Sequence, residues 1–347
     1  MRQIGSHNFS QQILPKKILV IRFSSIGDIV LTTPVVRCLK LQLNAEVHYL
    51  TKQQYAPLLE ANPYIDRIFT IKKNVAEVLP ALRQQGYDYV VDLHKNLRTA
   101  QVRLGLFFKP KWLAFNKLNL EKWLLTALKI NRLPAVHVVD RYLAAAGPLG
   151  VKNDGLGLDF FLTAPSTNPP SVHHQSLFTN SNYIVFAIGA QFQTKRLPTE
   201  KVVEICQLFK QPIILLGGKA EEAEGATIAE QAGAHVTNCC GALSLPASAA
   251  VVRDAVLVIT HDTGMMHIAA AFQKKILSIW GNTVPALGMY PYYGPANADL
   301  NTGFEVAGLS CRPCSKIGYA ACPKGHFKCM VEQDVAKIVS HAAGAML

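Results

Sequence analysis

Three short runs of this chain carry residues able to do chemistry. The first is Arg22-Phe23-Ser24-Ser25-Ile26-Gly27-Asp28, which follows the apolar Ile18-Leu19-Val20-Ile21. A lone carboxylate in such a turn can cap a helix or act as a general base. The capping reading sets Asp28 ahead of a helix that begins at Ile29, where it accepts free backbone N–H groups. The base reading carries a tension. A helix N-terminus stabilises the anion, lowers its pKa and weakens it as a base, so proton transfer must come late, once an attacking hydroxyl has become acidic.

The second run is Thr260-His261-Asp262-Thr263-Gly264-Met265-Met266-His267. Backbone N–H groups near Thr263 and Gly264, at the start of a helix, form a natural phosphate seat. Asp262 suits a cap or a hydroxyl contact, since it would repel a phosphate. His267 follows Thr263 by four residues and shares its helix face. The third run, Gly189–Pro198, holds Lys195 and Arg196, cations that could neutralise a leaving diphosphate without a metal. A solvated pair ahead of a helix is the plainer reading of those two alone. Glu221 and Glu222 follow the glycine turn Gly217-Gly218, a place where carboxylates meet sugar hydroxyls of nucleotides; favourable placement in a first helical turn explains them equally.

A fourth group has metal-ligand chemistry. Cys311, Cys314, Cys322 and Cys329, with His326 nearby, contain one C-x-x-C pair and a looser second half. A structural zinc knuckle fits this spacing; reduced thiols packing a loop are the alternative, and a disulfide is the weakest reading.

These residues need elements to position them. Apolar runs predict strands at 17–22, 46–50, 67–71, 88–92 and 111–115, with helical patterns between them and at 119–129 and 137–149. Residues 164–182 are rich in Ser, Thr, Asn and Pro and read as a linker. The alternation then resumes: strands at 183–188, 212–216, 255–260 and 275–280, helices at 199–209, 219–232, 245–254 and 264–273. Such βαβ repetition predicts parallel sheets. The expected organisation is an α/β N-terminal domain over 1–163, the linker, and a C-terminal domain over 183–347, whose final helix can pack back on the first domain. Two such domains enclose a cleft at their strand C-termini.

The charge is uneven. Residues 1–163 hold 22 Lys and Arg against 11 Asp and Glu, whereas the remainder holds 13 against 12. The basic half is expected to meet an anionic partner; solubility alone is the blander explanation. Segment 103–132 has seven Lys or Arg, one acid and five aromatic residues, a composition suited to an anionic lipid surface, although a buried segment with snorkelling lysines would look similar. No DNA or RNA module signature accompanies it, so nucleic acid is not an expected partner. Met1–Pro15 is polar without an apolar centre, and the charge-free stretch Ile276–Ala298 is interrupted by glycines and prolines. Neither a signal peptide nor a membrane span is expected, which favours the cytoplasm.

The motifs together resemble the glycosyltransferase family 9 heptosyltransferases of lipopolysaccharide core assembly. The resemblance rests on Ile21-Arg22-Phe23-Ser24-Ser25-Ile26-Gly27-Asp28, on Gly189-Ala190 with Lys195-Arg196-Leu197-Pro198, and on Asp262-Thr263-Gly264-Met265-Met266-His267-Ile268-Ala269-Ala270. It implies a GT-B fold, two Rossmann-like domains facing a cleft, and inverting transfer from ADP-heptose. The N-terminal domain would hold an anionic core acceptor, bearing Kdo and lipid A or heptose, with Ser25, Gly27, Lys95 and Arg98 on that side. The C-terminal domain would hold the donor, with Gly189, Arg196, Glu222, Asp262, Thr263, Gly264 and His267. Asp28 matches the family's base and Lys195 its phosphate-side lysine. No catalytic cofactor is expected, and work at the cytoplasmic face of the inner membrane is. Two competing functions share the architecture or the ligand: a nucleotide-sugar epimerase, and a non-catalytic sugar-nucleotide or membrane-surface binding protein. A NAD-dependent oxidoreductase is disfavoured because no G-x-G-x-x-G follows the first strand.

Overall fold

The computed structural model describes residues 16–162 and 182–346. All of the expected linker but its last residue therefore lies outside the described residues.

The first half forms a five-stranded, wholly parallel sheet. Its strands are β1 (Lys17–Ile21), β2 (Glu46–Lys52), β3 (Arg67–Ile71), β4 (Tyr89–Asp92) and β5 (Lys111–Ala114). The order is β3-β2-β1-β4-β5. Helices α1 (Ile26–Val30), α2 (Thr33–Leu43), α3 (Leu79–Arg83), α4 (Leu97–Gly105), α5 (Asn119–Trp123) and α6 (Val138–Ala146) connect and cover it. A π-helical turn, Leu124–Leu128, prolongs α5.

The second half is a six-stranded parallel sheet of β6 (Ile184–Ala187), β7 (Ile213–Leu216), β8 (Val236–Asn238), β9 (Leu257–His261), β10 (Ile276–Trp280) and β11 (Asn301–Glu305). Its order is β11-β10-β9-β6-β7-β8. The helices are α7 (Thr199–Gln207), α8 (Glu222–Ala232), α9 (Leu245–Asp254), α10 (Gly264–Ala271), α11 (Lys328–Val331) and α12 (Val335–Met346). Two Rossmann-like domains facing one cleft are the expected GT-B arrangement.

The central strands read as unbroken apolar runs because helices cover both faces of each sheet. Ile18, Leu19, Val20 and Ile21 of β1 are completely buried, and so are Leu257, Val258 and Ile259 of β9. Burying each such side chain stabilises the fold by about 1.5–3 kcal/mol relative to exposure. β8 and β11 escaped the sequence pattern because they are sheet edges of mixed polarity, Val-Thr-Asn and Asn-Thr-Gly-Phe-Glu.

Three local expectations are corrected. The first helix begins at Ile26, not Ile29; Ser25 is its N-cap and Asp28 lies inside the first turn. The helical pattern expected between the first two strands is broken near Leu31-Thr32. Pro34, which lacks an N–H, opens α2 in its first turn, and the Thr32 hydroxyl donates to the Ile29 carbonyl at 2.6 Å. Finally, α12 stays on its own domain. Val335, Ile338 and Ala342 join the core made by Val202 and Ile205 of α7 and Leu257 and Ile259 of β9.

Strand order locates the chemistry. In the first sheet the chain runs outward from β1 through β2 and β3, then returns to place β4 on the other side of β1. In the second it does the same from β6, returning to β9. These reversals leave crevices beyond the C-terminal ends of β1/β4 and of β6/β9, where open α/β sheets bind ligands. The runs after β1, β6 and β9 are those the sequence singled out. Among the described residues no helix is long and apolar enough to cross a membrane.

Candidate functional site

The two crevices open into one cleft of about 960 Å³. Its floor is the meeting of α1 and α10. A Cβ on Gly27 would lie 2.5 Å from His267 Cδ2, and one on Gly264 would lie 2.6 Å from Ile26 Cγ2. Only glycine lets these helix starts approach so closely, because any side chain would force backbone or a buried ring aside.

Asp28 is held at the N-terminal side of that floor. Arg22 Nη2 is 2.6 Å from Asp28 Oδ1. The Ser25 backbone N–H and hydroxyl donate to Oδ2 at 3.1 and 2.8 Å. Arg22 is itself fixed, donating to the Ser24 carbonyl at 2.8 Å, to the Tyr142 hydroxyl at 3.1 Å and to the Leu93 carbonyl. Burial works to raise the Asp28 pKa, but the guanidinium and the Ser25 hydrogen bonds outweigh it, and the net direction is down. Asp28 is therefore an ionised carboxylate whose syn and anti lone pairs are not all taken. The Arg22 pairing, more than a helix terminus, weakens it as a base.

Opposite stands the C-terminal group. Lys195 Nζ is 2.6 Å from Asp262 Oδ2 and 3.3 Å from the Asp262 carbonyl oxygen. The Thr283 hydroxyl donates to the same Oδ2 at 2.9 Å. Asp262 thus aims the ammonium and caps nothing itself. Thr263 is the N-cap of α10, so the first N–H groups of this eight-residue helix face the cleft beside Lys195. His267 lies between the two groups. It is buried, its Nδ1 has no hydrogen-bond partner among the described residues, and burial pushes its pKa down to about 4, with Lys195 acting in the same direction and Asp262 and Asp28 opposing. It is a neutral ring at physiological pH.

Glu221, and not the expected Glu222, lines the cleft. A 3-10 turn, Lys219–Glu221, precedes α8 and folds Glu221 back, so that its Oε2 accepts from the Gly218 N–H at 2.8 Å and reaches Gly189 at the cleft wall. Glu222 begins α8 on the outside, half exposed and paired with Lys219. Arg196 does not line the cleft. It sits behind Glu221, 3.1 Å from its Oε1, and also grips Glu224. Gly189 with Gly217 and Gly218 forms the glycine-lined wall, and Leu216, Leu243 and Leu245 supply apolar surface next to it.

The acceptor-side expectations divide. Ser25 and Gly27 line the cleft; Lys95 and Arg98 are exposed and do not. The Lys95 backbone N–H serves a turn by donating to Asp92 Oδ1 at 2.6 Å. Besides Arg22 and Lys195, the cleft is lined by the cations Lys117 and Lys122, from 115–122, and Lys316 from the other domain. Behind them Arg141 is buried, with Nε and Nη1 lacking partners among the described residues. Burial, with Arg141 and Lys316 adding to it, lowers the Lys122 pKa to about 8; burial also lowers that of Lys117. His94, another lining residue, is driven down to about 3 by burial and Arg22 and stays neutral. No sequence signal distinguished these lysines from the other cations of a basic half, because tertiary folding alone brings them together.

Among the described residues no group of three or more His, Cys, Asp or Glu side chains is arranged to hold a metal. The Cys314 thiol turns back to the Cys311 carbonyl at 3.1 Å, Cys311 Sγ is 3.9 Å from His326 Nε2, and Cys329 is buried in the core against the C-terminal sheet. The segment forms a wall of the cleft. Arg312 reaches the carbonyls of Trp280 and Thr283 at 3.3 and 3.0 Å, and Thr194 exchanges hydrogen bonds with Tyr319 beside Lys195. This anchoring presents Lys316 and Ile317 to the ligand space.

Comparison with known proteins agrees with the geometry. The family model "Glycosyltransferase family 9 (heptosyltransferase)" matches residues 75–318. Lipopolysaccharide heptosyltransferase 3 of Escherichia coli K12 is 24% identical over 74% of this chain and 80% of that protein. The crystal structure of a family 9 glycosyltransferase from Veillonella parvula superposes with a TM-score of 0.75 at 20% identity, covering 95% of this chain and 97% of the other. The E. coli heptosyltransferase WaaC with ADP gives 0.65 at 19% identity, with 95% and 99% covered. With its family model matched over most of its length and its chemistry gathered at the cleft, this chain belongs to glycosyltransferase family 9, the heptosyltransferase family.

Proposed function

We propose that the protein moves a heptosyl group from ADP-heptose to an anionic sugar acceptor of the lipopolysaccharide inner core, with inversion at the anomeric carbon. One observation carries this reading. Asp28 and the Lys195–Asp262 pair face one ligand space from opposite domains, with a helix N-terminus beside the lysine. The relatives named as lipopolysaccharide heptosyltransferases, and the related structure holding ADP, support the choice of donor and acceptor.

The diphosphate lies at the N-terminus of α10 and against Lys195, where backbone dipoles and an aimed ammonium meet its charge. Glu221 takes the ribose hydroxyls, and the apolar wall of Leu216, Leu243 and Leu245 takes the base. The acceptor's phosphate or carboxylate groups sit on Lys117, Lys122 and Lys316. Its hydroxyl oxygen attacks the anomeric carbon, the bond from that carbon to the diphosphate oxygen breaks with its electrons, and ADP departs from the opposite face. Asp28 accepts the hydroxyl proton. Lys195 and the N–H groups do what a divalent cation would otherwise do for the leaving group. The acceptor is borne on lipid, so the enzyme works at the cytoplasmic face of the inner membrane.

Mass spectrometry of core oligosaccharide from a strain lacking the protein tests the whole reading: a core short by one heptose is expected, and an unaltered core would reject it. Two finer outcomes arise from the geometry. Glu221→Gln should weaken ADP binding about tenfold, the cost of a charged hydrogen bond, while Glu222→Gln should leave it unchanged by calorimetry. Lys122 is cationic only below its lowered pKa of about 8. The acceptor KM should therefore rise as pH increases through that value, less steeply in Lys122→Gln, with the KM for donor unaffected.

A further inference from the structure

The basic, aromatic run 103–132 is divided by the fold between two opposite edges of the N-terminal sheet. Helix α4 carries the chain from the cleft edge of β4 to the far edge of β5, so the exposed Phe107 and Phe108 lie away from the cleft. Strand β5 then returns it to the cleft edge, where α5 forms part of the mouth. The inward side of α5 sends Asn119 and Lys122 into the cleft and buries Leu125. The outward side has no partner among the described residues. Leu120 is 65% exposed, Trp123 55% and Leu128 53%, and Ile130 continues the series. Their spacing of three and five residues makes one apolar stripe along the helix and its π-helical extension.

The stripe is set in positive charge. Residues 93–139 contain nine Lys or Arg and a single acid, Glu121. Lys129 and Arg132 follow the stripe directly. Across the mouth stand the exposed Ile317 and Tyr319, on the loop that Lys129 Nζ reaches at the Pro313 carbonyl, 2.7 Å away. A second copy of the same face would bring like charges together, which argues against self-pairing.

We propose that the outward stripe of α5, Leu120, Trp123, Leu128 and Ile130 with Lys129 and Arg132, docks on an anionic bilayer and holds the cleft mouth at the lipid surface. Trp and Leu seat at the headgroup boundary while the cations meet anionic lipid. The geometry serves a lipid-borne acceptor, whose sugar can enter the cleft past Lys117 and Lys122 while its acyl chains remain in the membrane. To that extent the proposal rests on the acceptor reading given above.

The test is co-sedimentation of the full-length protein with phosphatidylethanolamine vesicles containing about one-third phosphatidylglycerol, against vesicles of phosphatidylcholine alone. Binding to the anionic vesicles is expected, falling about tenfold or more in L120S/W123S and in the second pair L128S/I130S. F107S/F108S, altered at the far edge, should bind as the unaltered protein does. All three variants should keep their rate on a deacylated, water-soluble acceptor, which also shows that they fold. The proposal is overturned if the unaltered protein stays in the supernatant, if only F107S/F108S loses binding, or if the stripe variants bind fully. It is equally overturned if they merely convert a dimer to a monomer in size-exclusion chromatography. Vesicle binding without heptose transfer would sink the functional reading and leave the docking surface standing.

Discussion

Asp28→Asn should lower kcat by about 10³-fold, within the range that removal of a general base produces, and leave ADP affinity within about threefold. The asparagine keeps the shape of the site and can still accept from Ser25. What it lacks is the negative charge that receives the acceptor proton. A 10³-fold loss corresponds to about 4 kcal/mol of transition-state stabilisation. The fall should appear in kcat with little change in the donor KM, because the proposed ADP site lies on the other domain. Binding by calorimetry and turnover by ADP release separate the two. The acid side of the pH profile carries the same idea. Asp28 has its pKa held below the ordinary carboxylate value by Arg22 and Ser25, against the opposing effect of burial. It remains ionised as pH falls through the ordinary carboxylate range, so no loss of rate in kcat should arise there from Asp28. A mutant retaining most of its turnover would remove Asp28 from the base role.

Lys195→Ala should act differently, lowering kcat by about 10²–10³-fold and also weakening ADP binding. In the proposed mechanism the ammonium touches the diphosphate before and after bond cleavage, with its strongest contact as charge collects on the leaving oxygen. Its removal also leaves Asp262 with only Thr283, and an unpaired carboxylate beside a phosphate is repulsive. Both the donor KM and kcat should therefore move, in contrast to Asp28→Asn. Lys195→Arg should recover little, because a planar fork cannot reproduce a point charge set 2.6 Å from Asp262 Oδ2. Steady-state kinetics with donor varied at saturating acceptor checks the pattern; an unchanged kcat would place Lys195 outside the reaction.

The parts of the site readable in the sequence are those written in consecutive residues. Arg22–Asp28 and Thr260–His267 each follow a buried strand and open a helix, and the strand order puts both at a reversal of the sheet. Buried strands announce themselves by unbroken apolar runs, whereas the polar edge strands β8 and β11 do not. Glu221 and Glu222 show how fine the limit is. One residue in the start of α8 decides which carboxylate faces Gly189 and which faces solvent, and the composition of the turn is silent on it. The acceptor cations were illegible for a different reason. Lys95 and Arg98 look no different in sequence from Lys117 and Lys122, and only the return of β5 to the cleft edge separates them. The cysteine spacing suggested a metal; in the fold, Arg312 and Thr194 use that segment to build a wall of the cleft. Asp28 itself was legible as a carboxylate in a turn, while its partner was not. The tension between anion stabilisation and base strength is real, and Arg22 is its main source.

The most direct test of the central claim is ADP release by the purified protein, measured with ADP-heptose in the presence and absence of deacylated core acceptor. Acceptor-dependent release is expected, with a product one heptose heavier than the acceptor and with the rate lost in Asp28→Asn. Conversion of the donor without acceptor, or release that Asp28→Asn does not diminish, would contradict a displacement carried out between Asp28 and Lys195.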